Sequence, residues 1–281
     1  MNRITKEKTM FKSIYQTLII VSVALGLLQS EPTSAHSLES IISGEHRSDA
    51  NKARDIYRHP KQTLEFFGLQ EDMTVVEIWP SGGWYAEIIA PYLNESGQYI
   101  SAGYDPNDES SYFRARAAEF MDRLNQNPNL YSNVQHNILK LPDRIGIAES
   151  NSADMVLTFR NVHNWMANDH AEAVFEGFFK ALKPGGILGV VEHRGDASVP
   201  QDPGAKSGYV NQNYTIALAR KAGFIFEASS EINANPKDTK NHRDGVWTLR
   251  PTYSSLSEEE KKDYSDIGES DRFTLKFRKP E

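Results

Sequence analysis

Residues 73–93 read MTVVEIWPSGGWYAEIIAPYL, and the order of residue types in this stretch decides the fold. Met73 to Trp79 is a short run rich in β-branched residues that stops at Pro80-Ser81-Gly82-Gly83, the pattern of a buried strand entering a tight turn. From Trp84 onward, Tyr85, Ile88, Ile89, Tyr92 and Leu93 recur at the spacing of one helical face. A buried strand, a glycine turn and an amphipathic helix in immediate succession open an α/β unit. In such folds ligands bind beyond the carboxyl ends of the strands.

The same alternation extends in both directions. Upstream, Asp49 to Arg58 reads as a charged helix, and His59-Pro60 opens another whose Leu64, Phe66 and Phe67 end at Gly68. Downstream, strands are predicted at Gln98 to Gly103, near Tyr131 to His136, at Ser152 to Arg160 and at Ile187 to Glu192. Helices are predicted across Tyr112 to Leu124, along the stripe Ala171, Val174, Phe175, Phe178, Phe179 and Leu182 closed by Lys183-Pro184-Gly185-Gly186, and over Val210 to Ala222. Alternating elements imply right-handed crossovers and a parallel sheet covered on both faces. The last two strands, Phe224 to Ile232 and Phe273 to Arg278, have no clear helix between them and are expected to pair antiparallel at the sheet edge. The polar insertion Asn233 to Asp271 separates them and is read as a possible lid, with its acidic part, Ser257 to Asp271, as a solvated helix or loop. The fold class is α/β, a Rossmann-like sandwich with a mainly parallel sheet and an antiparallel last strand.

Arg3, Lys6, Lys8 and Lys12 precede an apolar run from Leu18 to Leu28, and Thr33 and Ala35 supply small residues for cleavage. This is the pattern of a signal peptide over residues 1–35, releasing a domain over residues 36–281 that begins at His36, with Met10 as an alternative start. The run is shorter than the roughly 20 apolar residues that a transmembrane anchor needs, so no stable membrane anchor is expected after cleavage and the location is periplasmic or secreted. The net charge of −7 becomes more negative once that basic leader is removed, which argues against nucleic acid and anionic membranes as partners. Without cysteine the chain has no disulfide, no thiolate metal ligand and no thiol nucleophile.

Chemistry is expected at the strand ends. Gly82 and Gly83 permit close backbone approach to a ligand, and the following helix offers free N–H groups. The second strand ends at Tyr104-Asp105-Pro106, where an acidic side chain can accept hydrogen bonds from ribose hydroxyls, although an Asp before Pro also starts turns. The fourth strand runs into Arg160-Asn161-Val162-His163-Asn164-Trp165 and the fifth into Glu192-His193-Arg194. These clusters offer carboxylate, imidazole and guanidinium groups to one cleft. The fold requires Glu77, Asp105, Arg160 and Glu192 to converge on one edge of the sheet.

With these residues in view, the chain resembles an exported bacterial family of predicted class I S-adenosylmethionine-dependent methyltransferases. The resemblance runs from about His46 to Lys279 through VVEIWPSGGWYAEIIAPYL, FRNVHNWM, LKPGGILGVVEHR, INANPKDTKNHRDGVWTL and GESDRFTLKF. It implies S-adenosylmethionine as cofactor, with Glu77 opening the cofactor motif, Gly83 in its glycine turn and Asp105 on the ribose. The superfamily pattern is acidic-x-Gly-x-Gly-x-Gly, and this chain places Trp79 and Ser81 where the first two glycines fall. A tryptophan there would crowd the site or build an aromatic wall in it.

The leading functional expectation is therefore methyl transfer to a small molecule. His163, Glu192 and His193 are the candidate catalytic residues, Glu77, Gly82, Gly83 and Asp105 hold the donor, and Asn161, Trp165 and Arg194 contact the acceptor. A second expectation is an exported binding protein that kept the fold and lost the donor. A third, a metal-assisted enzyme using His163, Glu192, His193 and His242, lacks a close ligand pair such as His-x-x-x-His, and no metal site is assigned.

Overall fold

The computed structural model describes residues 37–281, so the expected signal peptide and the new amino terminus at His36 lie outside the described residues. Four short helices lead in: α1 (Leu38–Ser43), α2 (Asp49–Lys52), α3 (Asp55–Arg58) and α4 (Pro60–Phe67). The helix expected over Asp49 to Arg58 is thus two pieces, because Ala53 and Arg54 form a turn between them. Helix α4 begins with Pro60 and ends on Gly68 at φ 85°, whose N–H bonds back to Leu64 and Glu65. Both ends follow the proline-first, glycine-last asymmetry.

The alternating unit then runs β1 (Thr74–Ile78), α5 (Ala86–Leu93), β2 (Gln98–Gly103), α6 (Ser111–Gln126), β3 (Val134–Ile138), β4 (Ala153–Phe159), α7 (Val162–Met166), α8 (Ala171–Ala181), β5 (Leu182–His193), α9 (Gln212–Lys221), β6 (Ile225–Ser230), α10 (Glu260–Ser265) and β7 (Arg272–Arg278). The seven strands lie in the order β3-β2-β1-β4-β5-β7-β6. β1 is parallel to β2 and β4, and β4 to β5, whereas β7 runs antiparallel between β5 and β6. The expected antiparallel pairing of the last two strands at the sheet edge is correct: β6 is outermost and β7 lies between it and β5.

Side chains of β1 alternate between the two faces, as the pleat demands. Val76 and Ile78 join Phe175, Phe178, Leu188 and Phe273 in one core. Val75 joins Phe67, Ile88, Leu157 and Val191 in the other. Glu77 falls on the second face, buried. Lys183-Pro184-Gly185-Gly186 does not follow a helix end as a free turn: β5 starts at Leu182, and the pairing jumps from Ala153↔Leu182 to Met155↔Ile187. The extra residues form a bulge within the strand.

The insertion is fastened rather than loose. Asn233 donates to Thr63 and Thr274 hydroxyls at 3.0 and 2.9 Å, and buried Asp238 accepts from Tyr209 at 2.8 Å and from the Asp271 N–H at 2.8 Å. Helix α10 has no buried residue, as a solvated segment should. Glu269, Ser270 and Asp271, expected to share that exposure, are instead buried.

Candidate functional site

Two cavities open at the carboxyl ends of β1, β2 and β4. The larger, about 470 Å³, is walled by Glu77, Trp79, Gly82, Arg160, Asn161 and His163 together with residues of the insertion. The smaller, about 330 Å³, lies beyond β2 among Trp79, Tyr104, Asp105, Phe113, Leu139 and Leu141. Trp79, Tyr104, Tyr112 and Asn164 line both, so the cavities adjoin across these side chains.

The turn after β1 keeps a glycine-type backbone although Trp79 and Ser81 replace two of the three motif glycines. Trp79 sits at φ 43°, Ser81 at φ 53° and Gly83 at φ 76°, all left-handed. That region is sterically costly for any residue but glycine, so the conformation is imposed by the surrounding structure. At Gly83 a Cβ would also meet Arg123 Cδ at 2.6 Å. The Trp79 indole turns aside, donating from Nε1 to the Leu139 carbonyl at 3.0 Å and stacking on Tyr104 at 5.1 Å. It forms an aromatic wall, the second of the two outcomes expected for a tryptophan at this position.

Asp105 stands at the lip of the smaller cavity. Its Oδ1 accepts the Asn107 N–H at 2.8 Å, the turn-starting bond expected before a proline, while Oδ2 has only Lys140 at 3.8 Å. One oxygen is therefore available to a ligand. Trp79, Tyr104 and Phe113 beside it stack on one another with ring separations of 5.1 Å for Trp79–Tyr104 and Tyr104–Phe113, and form one aromatic wall of the cavity, against which a planar heterocycle can pack. These residues fit a nucleoside.

The residues after β4 and β5 divide sharply. Helix α7 starts one residue beyond Asn161, and the Glu192 carboxylate sits against its first turn, accepting from the N–H groups of Val162 at 2.6 Å, His163 at 3.4 Å and His193 at 2.8 Å. A carboxylate suits a helix amino terminus. Its other partner is His163 Nδ1 at 3.2 Å from Oε1. Glu192 is 0 % exposed and lines neither cavity, so it orients His163 and does not touch a ligand. His163 and His193 do line the larger cavity, with rings 5.4 Å apart. Burial, then His163, Arg272 and Arg160, hold His193 well below the usual histidine range, so its imidazole stays neutral. Its Nδ1 meets the Ser270 hydroxyl at 2.5 Å.

Two residues expected to contact an acceptor lie elsewhere. Trp165 is 0 % exposed and packs its ring against Phe175 and Phe178 at 6.3 and 5.5 Å. Adjacent residues of a helix point about 100° apart, so His163 facing the cavity turns Trp165, about 200° further round, into the core. Arg194 lies one residue past β5 and pairs with Glu231 at 2.7 Å and Asp271 at 3.6 Å, lining neither cavity. Asn161 lines the larger cavity but donates its amide to the Ile78 carbonyl at 2.9 Å and the Thr158 hydroxyl at 3.2 Å.

His163, Glu192 and His193 bring potential ligand atoms within 4.8 Å of one another, the one such group among the described residues. Both Glu192 oxygens are already engaged by backbone N–H groups, which leaves the carboxylate poorly disposed toward a cation. His242, grouped with them on sequence, instead pairs with Asp238 at 2.9 Å.

Sequence reasoning passed over most of the cationic wall: Arg54, Arg58, Arg250 and Arg272 all line the larger cavity, with Glu269 among them. Two partners of Glu269, Arg58 and Arg54, are 211 and 215 residues distant in the chain, so no local spacing announces them.

No family model matches the chain, and no curated protein is significantly similar to it. Solved structures are similar in backbone. An S-adenosylmethionine-dependent methyltransferase from Aquifex aeolicus matches with a TM-score of 0.54 at 13% identity, over 86% of this chain and 98% of that one. The cyclase SpnF matches with a TM-score of 0.57 at 17% identity, over 84% and 85%. An arsenic(III) S-adenosylmethionine methyltransferase from Chlamydomonas reinhardtii matches with a TM-score of 0.50 at 15% identity, over 87% and 73%. The fold is accordingly the Rossmann-like sandwich of class I methyltransferases. That a cyclase shares it shows why the activity has to come from the site.

Proposed function

We propose that this chain is an S-adenosylmethionine-dependent methyltransferase acting on a small molecule, exported by residues 1–35 to the periplasm or beyond. The observation that carries the reading is the conjunction at β1 and β2: a left-handed turn through Trp79, Ser81 and Gly83 beside an aromatic slot edged by Asp105. Two of the structurally similar proteins are named as S-adenosylmethionine-dependent, which supports the same donor.

When bound, S-adenosylmethionine supplies a methyl group activated on sulfur. Asp105 offers Oδ2 to the ribose hydroxyls, and the smaller cavity walled by Trp79, Tyr104 and Phe113 takes the base. The acceptor occupies the larger cavity, whose volume of about 470 Å³ is in the range of small-molecule sites. There His163, with Nδ1 turned to Glu192, leaves its other ring nitrogen for the acceptor, which it orients or deprotonates. Glu192 and Ser270 act behind the two imidazoles as positioning residues. Holding donor and acceptor in line supplies most of the rate gain expected of such a site.

The stack of Trp79 on Tyr104, standing between the cavities, favours one other reading: an exported binding protein that kept the fold without the donor. Incubation with methyl-labelled donor and a small-molecule extract distinguishes the two. Labelled product should form, and His163→Gln should lower its rate by about 10²–10⁴-fold with donor affinity unchanged. Absence of any labelled product alongside tight retention of another ligand would replace the enzyme with the binding protein.

A further inference from the structure

Four arginines from distant segments line the larger cavity: Arg54 and Arg58 around α3, Arg160 after β4, and Arg272 at the start of β7. Three of them share one carboxylate. Glu269 receives Arg54 Nε at 2.6 Å, Arg58 Nε at 3.0 Å and Arg272 Nη2. The fourth, Arg160, makes no side-chain hydrogen bond or ion pair with any described residue, and its backbone is held left-handed at φ 61°. Arg58 and Arg272 are 3 % and 2 % exposed, and Arg58 Nη1 and Arg272 Nε are buried without a partner.

Four guanidinium groups thus face a single carboxylate. Burial, with Arg160 next, drives Arg58 well below the usual arginine range, and burial with Arg272 lowers Arg160 to about 10. Glu77, the other carboxyl near Arg160, lines the same cavity and accepts the Tyr99 hydroxyl through Oε2 at 2.7 Å. Buried cations in surplus, with orphaned N–H groups, are costly unless a ligand supplies the missing negative charge. Guanidinium forks match the oxygens of carboxylate and phosphate in particular.

We propose that this wall binds the acid group, carboxylate or phosphate, of the small molecule that the larger cavity accepts, with Arg160 as its principal free donor. The assignment rests on the reading of that cavity as the acceptor's place. The amino-acid end of S-adenosylmethionine also carries a carboxylate, and the donor turn, Trp79 to Gly82, lines the same cavity; Arg160, just after β4, and Arg272, at the start of β7, form the part of the wall assigned to the acceptor. Arg250, brought in by the insertion, lines the same cavity. The insertion therefore contributes to recognition and does not merely cover the cleft.

Thermal unfolding and calorimetry of the full chain test this with inorganic phosphate and with acetate, against chloride at equal ionic strength. A saturable rise in melting temperature with phosphate or acetate but not with chloride is expected, and the stronger of the two identifies the acid group. Arg160→Gln should weaken that binding about ten- to a hundredfold, the loss of one or two charge-assisted hydrogen bonds, while its ligand-free melting temperature stays equal or rises because a surplus charge is gone. Arg160→Lys, which keeps the charge but not the fork, should fall between. No saturable effect of either anion, or undiminished binding in Arg160→Gln, overturns the proposal. So does a ligand-free Arg160→Gln protein that unfolds well below the wild type. Donor titrations separate this from the methyltransferase reading. Anion binding without donor binding keeps the arginine wall and removes the transferase, whereas loss of donor affinity in Arg160→Gln assigns the wall to the donor's own carboxylate and overturns the proposal.

Discussion

Glu77 and Glu269 are both buried, both line the larger cavity, and yet ionise in opposite senses. Burial raises Glu77 to about 7, opposed only by the Tyr99 hydroxyl and by Arg160. Burial acts on Glu269 in the same direction, but Arg272, Arg58, Arg54 and Arg160 together hold it well below the usual carboxylate range. Desolvation is common to both, so the guanidinium neighbours decide the difference. The larger cavity consequently holds two differently charged carboxyl sites: Glu77 at the end of β1, with a raised pKa, and Glu269 among the guanidinium groups. The cationic part suits an acid, while the nucleoside's place is the adjoining smaller cavity.

The most severe way to break this contrast is Glu269→Gln. It strips buried Arg58 and Arg272, and partly exposed Arg54, of their shared counterion and should cost about 3–5 kcal/mol, a fall of roughly 6–20 °C in melting temperature. A loss below about 1 kcal/mol would mean that solvent already screens the wall. Glu77→Gln sharpens the contrast through pH. Because the folded state holds the Glu77 proton up to about 7 rather than 4.5, its contribution to stability is fully present below pH 4.5 and lost as pH rises through 7. Relative to wild type, Glu77→Gln should therefore gain about 3 kcal/mol between those limits. Parallel stability curves for the two proteins would place Glu77 in a solvated environment. Glu269 has the opposite sign, stabilising above the ordinary carboxylate range and failing as pH falls. The smallest expected effect is that of Ser81→Gly, which removes a left-handed non-glycine residue from the donor turn and should stabilise by about 1 kcal/mol without changing donor affinity.

The strand-by-strand order, the glycine turn and Asp105 at the end of β2 were legible in the sequence because each depends on short-range pattern. Val75, Val76 and Ile78 are apolar with a helix-forming stripe after them, and nothing distant is needed to interpret them. Glu192 and Trp165 were misplaced for a related reason. Polarity at a strand end identified the right neighbourhood, but which side chain turns to the cavity depended on α7 beginning one residue after Asn161 and laying its amino terminus on Glu192. The arginine wall was the least legible part. Arg54 and Arg58 look like solvated charges on a short helix, and only the long-range return of Glu269 and Arg272 through the insertion buries them. Trp79 shows the reverse case, in which a broken glycine motif in sequence conceals a backbone that retains the glycine conformation.

The central claim, that the aromatic slot and Asp105 hold S-adenosylmethionine, is tested most directly by calorimetry of wild type and Asp105→Ala with the donor. Wild type should bind saturably, and Asp105→Ala should bind about ten- to a hundredfold more weakly, the loss of a hydrogen bond to a charged acceptor. A wild-type chain that shows no heat of binding at millimolar donor would contradict the claim.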